Sequence, residues 1–232
     1  MDVNGVRGVL FDKDGTLFDF QRTWGPPTRG LIEAEALGDA DRARALASVL
    51  GYDMATARFL PGSIVVAEPA DVVAAAVLPL LRDTDPDAFA ARMNAWAAGV
   101  RQVPVTPLGP LFARLCAAEL RLGVATNDAE RAARRHLVEA GIETSLAFIA
   151  GYDSGFGAKP EAGQLAAFAR ATGLAPQDCA MIGDSLHDLH AARAAGMVAV
   201  AVLTGVADEA ELAPAADVVL ASVADLPGWL GL

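Results

Sequence analysis

Two aspartates, Asp12 and Asp14, stand one residue apart in the stretch "VLFDKDGT", directly after an apolar run and before a Gly-Thr pair. A third, Asp184 in "GDSLHD", follows another apolar run. Unpaired charge is costly to bury, so carboxylates at the ends of buried strands require partners. Carboxylate oxygens suit hard cations such as Mg²⁺, which keeps several waters and binds well beside a phosphate. The pattern therefore indicates an oxygen-rich Mg²⁺ site.

The same residue types suit transfer of a phosphoryl group. Asp12 can attack phosphorus as a nucleophile and form an aspartyl-phosphate. Asp14 can protonate the leaving oxygen and then activate water. Lys159, Thr126 and the backbone amides around Gly15 would hold the phosphoryl oxygens. Lys159 is one of two lysines beside sixteen arginines, which favours a role that needs a compact point charge.

Composition narrows the class of protein. The chain has 232 residues, 53% apolar and 20% charged, and a net charge of -11. This acidity argues against a nucleic-acid or anionic-membrane surface. We find no signal-like N-terminus and no long apolar run, and Cys116 and Cys179 form no metal spacing or disulfide framework. We expect a cytoplasmic protein.

Short apolar runs that end in small or polar residues alternate with helical patterns. This alternation predicts an α/β fold, a Rossmann-like parallel sheet with helices on both faces. The predicted strands lie at 9–11, 120–128, 146–154, 179–185, 197–205 and 217–222. The predicted helices of this part lie at about 109–119, 129–140, 161–173 and 187–196.

The pattern changes between the first strand and residue 105, where alanine-rich amphipathic stretches carry little strand signal. We predict an α-helical cap inserted after the first strand, with helices near 28–50, 70–82 and 86–101. The catalytic core would comprise residues 1–19 and 103–232, and the cap residues 20–102.

Ligands of open parallel sheets bind beyond the carboxyl ends of the strands. The polar residues that end the predicted strands should therefore meet in space. They are Asp12, Asp14, Thr126, Asn127, Asp184 and Ser185.

At this point four motifs resemble those of the haloacid dehalogenase (HAD) superfamily, in its phosphoglycolate-phosphatase-like branch with a small helical cap. They are "VLFDKDGT", "LGVATN" with Thr126, "AKP" with Lys159, and "GDSLHD" with Asp184 and Asp188. All four stand in the family's order across about residues 8–205.

The resemblance implies a role for each matching residue. Asp12 would be nucleophile and Mg²⁺ ligand, and Asp14 would be acid/base with its carbonyl on the metal. Asp184 would complete the metal shell, and Asp188 and Gly15 would support it. The phosphate would be bound by Thr126, Asn127 and Lys159.

The function so implied is Mg²⁺-dependent hydrolysis of a small phosphorylated metabolite, with phosphoglycolate as one candidate. A β-phosphoglucomutase-like phosphomutase and a catalytically retired binding protein of the same fold remain as alternatives. Dehalogenation is disfavoured because true dehalogenases do not carry the aspartate at position 14. "GDSL" at 183–186 also spells a serine-esterase signature, but His187 and His190 are too close to Ser185 for the usual triad.

Candidates for substrate contact in the cap are Arg22, Trp24 and Arg58. Trp24 has an alternative role as an anchor of the cap hinge. His187 and His190 could bind a metal with Asp188, although such a pair more often forms a solvated helix face. The identity of the substrate and the oligomeric state are not readable from the sequence.

Overall fold

The structure is a computed structural model that describes residues 5–66, 68–81 and 85–232. Six parallel strands form the central sheet, in the order β5-β4-β1-β6-β7-β8. These are β1 (Gly8–Phe11), β4 (Arg121–Ala125), β5 (Phe148–Ala150), β6 (Cys179–Gly183), β7 (Val198–Val202) and β8 (Val218–Leu220). The predicted Rossmann-like α/β sheet is confirmed, with all six strands.

Helices follow the strands along the chain and cover both faces of the sheet. They are α5 (Leu108–Ala117), α6 (Glu130–Glu139), α7 (Gly163–Thr172), α8 (Leu186–Ala195), α9 (Glu209–Leu212) and α10 (Leu226–Trp229). The four helices predicted for this part correspond to α5 to α8, with ends within two residues of the expected ones.

Side chains of one strand alternate between the two faces, because successive residues of a strand point in opposite directions. On β1, Val9 and Phe11 pack into the cluster formed with α5, α6 and α10. Leu10 packs into the opposite cluster, formed with α7, α8 and α9. Burial on both faces explains why the strands read as continuous apolar runs.

Residues 20–102 are called the inserted segment here, and its described residues form four α-helices and a small hairpin. The helices are α1 (Phe20–Ala36), α2 (Ala40–Leu50), α3 (Ala70–Val77) and α4 (Pro86–Gly99), and the strands are β2 (Tyr52–Asp53) and β3 (Arg58–Phe59). The expectation of an all-helical insert is therefore wrong at the hairpin. Most of a third apolar cluster lies within this segment. The division of the chain into core and cap stays a prediction.

The single helix predicted near 28–50 is also wrong. Asp19 caps α1 by accepting a hydrogen bond from the backbone N–H of Arg22, so the helix begins eight residues earlier than expected. Left-handed backbone at Leu37 and Gly38 then ends it, and Asp39 caps α2. The third cap helix, predicted at 70–82, ends at Val77 in a short 3₁₀ turn, and residue 82 lies outside the described residues.

Two connections join the inserted segment to the sheet, and they run side by side. The backbone N–H of Asp19 donates to Val103 O at 2.8 Å, and that of Val105 donates to Leu17 O at 3.1 Å. Over the described part of the chain, no helix is long and apolar enough to cross a membrane.

Adjacent residues of α6 give a test of the core. Leu137 is fully buried, whereas Val138 is 61% exposed. Leu137→Ala should lower the free energy of unfolding by about 2–5 kcal/mol, because it removes buried methyl groups and leaves a cavity. Val138→Ala should change it by no more than about 0.5 kcal/mol. Urea unfolding of the two variants measures the difference, and equal losses would contradict the assigned packing of α6.

Candidate active site

A cavity of about 170 Å³ lies between the carboxyl ends of β1, β4 and β6 and the inserted segment. The strand-end residues expected to meet all contribute to its wall. They are Asp12, Asp14, Thr126, Asn127, Asp184 and Ser185, together with Lys159 from the loop after β5. The parallel sheet brings these residues together, since its strands all end at one edge.

Lys159 is buried at the base of this cavity and joins two carboxylates. Its Nζ lies 2.6 Å from Asp12 Oδ1 and 2.6 Å from Asp188 Oδ1. The side-chain amide of Asn127 donates to Lys159 O and accepts from Lys159 N, both at 2.9 Å. Asn127 therefore holds the backbone of Lys159 in place and so helps to position its ammonium group.

Burial and the ion pairs have opposite effects on the pKa values of Asp12 and Lys159. Burial lowers the pKa of the Lys159 ammonium, but the carboxylates of Asp12 and Asp188 outweigh this effect and raise it above its ordinary value. Burial raises the pKa of Asp12 to about 7, even though Lys159 opposes the shift. One lysine thus does not offset the cost of burying the Asp12 carboxylate.

Asp12, Asp184 and Asp188 form a buried acidic group whose nearest oxygens lie within 4.8 Å of one another. Asp184 Oδ1 accepts a hydrogen bond of 3.2 Å from Thr16, whereas Asp184 Oδ2 is buried with no hydrogen-bond partner among the described residues. Burial, reinforced by the charges of Asp12 and Asp188, raises the pKa of Asp184 well above its usual range. A divalent cation would reverse that shift, and an all-oxygen donor set fits a hard cation.

Two glycines make room for the Asp184 carboxylate. A Cβ at Gly15 would lie 2.2 Å from Asp184 Oδ2, and one at Gly205 would lie 1.8 Å from it. Gly15 also has a φ of +88°, which disfavours other residues. Gly15 was predicted to support the site. Gly205 was not predicted to be part of it, because no local sequence pattern links that residue to Asp184.

Asp14 faces a different set of partners, although it lines the same cavity. Its Oδ1 accepts a hydrogen bond of 2.7 Å from the indole N–H of Trp24, and its Oδ2 lies 2.5 Å from Lys13 Nζ. Lys13 is fully buried and also pairs with Asp128 at 2.9 Å. The side chain of Asp14 is therefore held by Trp24 and Lys13 and is not a member of the acidic group of Asp12, Asp184 and Asp188. Coordination through the Asp14 carbonyl stays a prediction.

His136, on α6, packs beneath this second cluster. Its Nε2 lies 3.1 Å from Ala97 O, and its ring meets that of Trp24 edge-on. Burial, and then the charge of Lys13, lowers the pKa of His136 to about 4, so the ring is neutral at pH 7. Asp128 and His136 were not predicted as site residues. Their contacts and charges depend on Lys13, which is far from both in the chain.

Of the three cap candidates, only Trp24 reaches the cavity wall. Arg22 and Arg58 are exposed and lie outside that wall. Residues two apart on a helix point about 200° apart, so Arg22 and Trp24 cannot share a face of α1. The structure thus places both arginines away from the expected substrate contact.

The two helix histidines are also separated. His187 lies on the cavity wall with its Nε2 3.6 Å from Glu68 Oε1, whereas His190 is exposed. Neither belongs to the acidic group of Asp12, Asp184 and Asp188, and Asp188 is engaged by Lys159 and Ser185.

The fold and site define an α/β protein with an acidic, lysine-containing cavity between a parallel sheet and a helical insert. The family profile of haloacid dehalogenase-like hydrolases matches residues 6–196. The chain therefore belongs to this family of hydrolases. The four sequence motifs indicated this same family of hydrolases.

Among similar proteins is a phosphoglycolate phosphatase of Chromobacterium violaceum, 39% identical over 48% of this chain and 50% of that relative. The chain thus aligns with only half of this relative's length. Another, from Xylella fastidiosa (strain Temecula1), is 31% identical over 86% of this chain and 81% of the relative. A crystal structure described as a predicted phosphoglycolate phosphatase from Haemophilus somnus 129PT superposes with a TM-score of 0.74 at 18% identity, covering 97% of each chain.

The buried imidazole of His136 predicts an acid-sensitive fold. Its folded pKa of about 4 lies below the usual value of about 6.5, so the unfolded chain binds more protons between these two pH values. Its contribution to stability is therefore full above pH 6.5 and is lost as the pH falls toward 4, by about 3 kcal/mol. His136→Gln removes this titration.

Urea unfolding of both proteins from pH 8 to pH 4 tests this expectation. The difference at pH 8 reports the packing cost of the substitution, and only its change toward pH 4 reports the histidine. A difference that is constant across the range would show that His136 is not held neutral.

Proposed function

We propose that the chain is a Mg²⁺-dependent phosphomonoester hydrolase that works through an aspartyl-phosphate on Asp12. One observation carries the proposal: Asp12 and Asp14 line the same cavity but have different partners. Asp12 lies against Lys159 and the acidic group, whereas Asp14 lies between Trp24 and Lys13. Two carboxylates in unlike surroundings suit a division between nucleophile and acid/base.

In the first half of the reaction an Asp12 carboxylate oxygen forms a bond to phosphorus while the bond to the alcohol oxygen breaks. Asp14 gives its proton to the leaving alcohol. Lys159, held by Asn127, neutralises the approaching phosphate beside the Asp12 carboxylate. Thr126, at the end of β4, lies on the same wall and suits contact with a phosphoryl oxygen.

In the second half Asp14 accepts a proton from water, whose oxygen attacks phosphorus. The bond to Asp12 breaks, inorganic phosphate leaves, and both carboxylates return to their starting states. Mg²⁺, when bound, would neutralise the carboxylates and the phosphoryl oxygens. Asp12 and Asp184 would hold it, with the Asp14 carbonyl, and Asp188 would support the set through Lys159 and Ser185.

Phosphate release from a panel of phosphomonoesters in the presence of Mg²⁺ tests the proposal. Phosphoglycolate is the candidate suggested by the names of the relatives, and sugar phosphates and nucleotides complete the panel. Hexose 1-phosphates also test the mutase alternative, because a mutase returns an isomerised sugar phosphate and a hydrolase releases free phosphate. No phosphate from any member would contradict the proposal.

Asp12→Asn should abolish turnover while the protein stays folded. An amide neither attacks phosphorus nor neutralises a cation as a carboxylate does. Steady-state activity should fall below about a thousandth of wild type, on the usual scale of a nucleophile's contribution. Circular dichroism checks the fold, and activity well above that level would remove Asp12 from the nucleophile role.

Activity should also depend on a divalent hard cation. Exhaustive chelation should stop turnover and Mg²⁺ should restore it, while Ca²⁺ should compete because it prefers more ligands at longer distances. Mg²⁺ should also raise the thermal unfolding midpoint of wild type, and less so that of Asp184→Asn. Full activity after chelation would contradict the metal assignment.

Lys159→Ala should lower kcat/KM by about 100-fold or more, on the scale of one lost transition-state contact. Lys159→Arg should not restore full activity, because the planar guanidinium approaches the two carboxylates differently from an ammonium. Kinetics of both variants on any accepted phosphomonoester decide the point. Near-wild-type values for Lys159→Ala would show that the ammonium only pairs with Asp12 and Asp188 and does not bind the phosphate.

A further inference from the structure

The inserted segment lines the cavity with apolar side chains opposite the catalytic carboxylates. Trp24 and Trp96 stand side by side there, with ring centroids 5.9 Å apart. Val66, Val73, Phe89 and Met93 continue the same wall. A substrate's phosphate must lie at Asp12 and Lys159, so its alcohol part must lie against this apolar surface.

The charges on the wall do not favour a second anionic group on the substrate. Among the described residues that line the cavity, Lys159 is the only lysine or arginine. It already faces Asp12 and Asp188 and would face the phosphate. Beside the described wall residues other than Lys159 and His187, a carboxylate would lose hydration without gaining an opposite charge.

Within the described part of the inserted segment, the charged side chains on this wall are acidic. Glu35 pairs with Arg92 outside the wall, at 3.3 Å, and Glu68 lies near His187 of the core. These carboxylates would repel an anionic alcohol part such as glycolate. Apolar groups, in contrast, gain free energy by leaving water for such a wall.

We propose that the alcohol part of the substrate is apolar, an alkyl or aryl group, rather than a carboxylate-bearing one. This inference rests on the proposed phosphomonoesterase activity and specifies its substrate class. It differs from the activity named for the similar proteins, since phosphoglycolate carries a second anion two bonds from the phosphate ester oxygen.

A series of n-alkyl phosphates from ethyl to hexyl tests the proposal on the wild-type protein with Mg²⁺. The leaving alcohols differ little in reactivity, so a rise in kcat/KM with chain length reports contact with the wall. We expect about a three- to fourfold rise per methylene until the cavity is full. Ethyl phosphate should also exceed phosphoglycolate, whose carboxylate replaces the methyl group.

A pair of adjacent valines on α3 provides matched variants. Val73 lies on the cavity wall, whereas Val72 is 44% exposed and lies outside it. Val73→Arg should flatten the alkyl series and raise kcat/KM for phosphoglycolate relative to ethyl phosphate by about tenfold or more, because it places a cation on the wall. Val72→Arg should leave both ratios unchanged. Thermal unfolding checks that each variant is folded. If a variant does not fold, the alkyl phosphate series on the wild-type protein still tests the proposal.

The outcomes separate the two proposals. Turnover of phosphoglycolate above ethyl phosphate, or an alkyl series that does not rise, overturns the apolar assignment and leaves the phosphatase assignment intact. Equal effects of Val72→Arg and Val73→Arg would also overturn the assigned wall. Absence of phosphate release from every ester and from acetyl phosphate, an acyl phosphate, overturns both.

Discussion

The ammonium of Lys159 is the contact on which the rest of the site depends. It lies between Asp12 and Asp188 in a buried acidic group that would otherwise hold carboxylates with no opposite charge. Such a group is costly to bury. Burial raises the pKa of Asp12, and Lys159 opposes that shift only in part. The excess negative charge suits a divalent cation, and the reciprocal hydrogen bonds of Asn127 keep the lysine in place when a phosphate approaches.

Asp14 has contacts both with the inserted segment and with residues outside it. The core supplies Lys13, Asp128 and His136, and the inserted segment supplies Trp24, whose indole N–H reaches the Asp14 carboxylate. Trp24 also forms part of the cavity wall beside Trp96. One side chain thus couples the acid/base candidate to the surface that would receive the alcohol part. Trp24 thus has both a hydrogen bond that would anchor the inserted segment and a place on the wall where a substrate could touch it, and the two roles stay predictions.

Family membership concerns the type of reaction, whereas the chemistry of the cavity wall concerns the choice of substrate. The strand-end residues for which the four motifs predicted roles in phosphoryl transfer line one cavity at one edge of the sheet. In the proposed function the substrate's alcohol part would be selected elsewhere, by the wall residues of α1 to α4 and the loop before α3. Sequence identity of about 30% to the relatives leaves room for that wall to differ, because its side chains need only fill space and match charge.

The sequence by itself determined the sheet, its four main flanking helices and the residues at the strand ends, because buried parallel strands read as apolar runs and one edge of the sheet collects their final residues. It did not determine the start of α1, where the Asp19 cap outweighs the interior prolines Pro26 and Pro27, or the β2–β3 hairpin, whose strands have two residues each. Nor did it place Arg22 and Arg58 outside the cavity, or Lys13 beside Asp128. Those outcomes depend on the direction of a helix face and on contacts between residues far apart in the chain, and only the tertiary structure decides them.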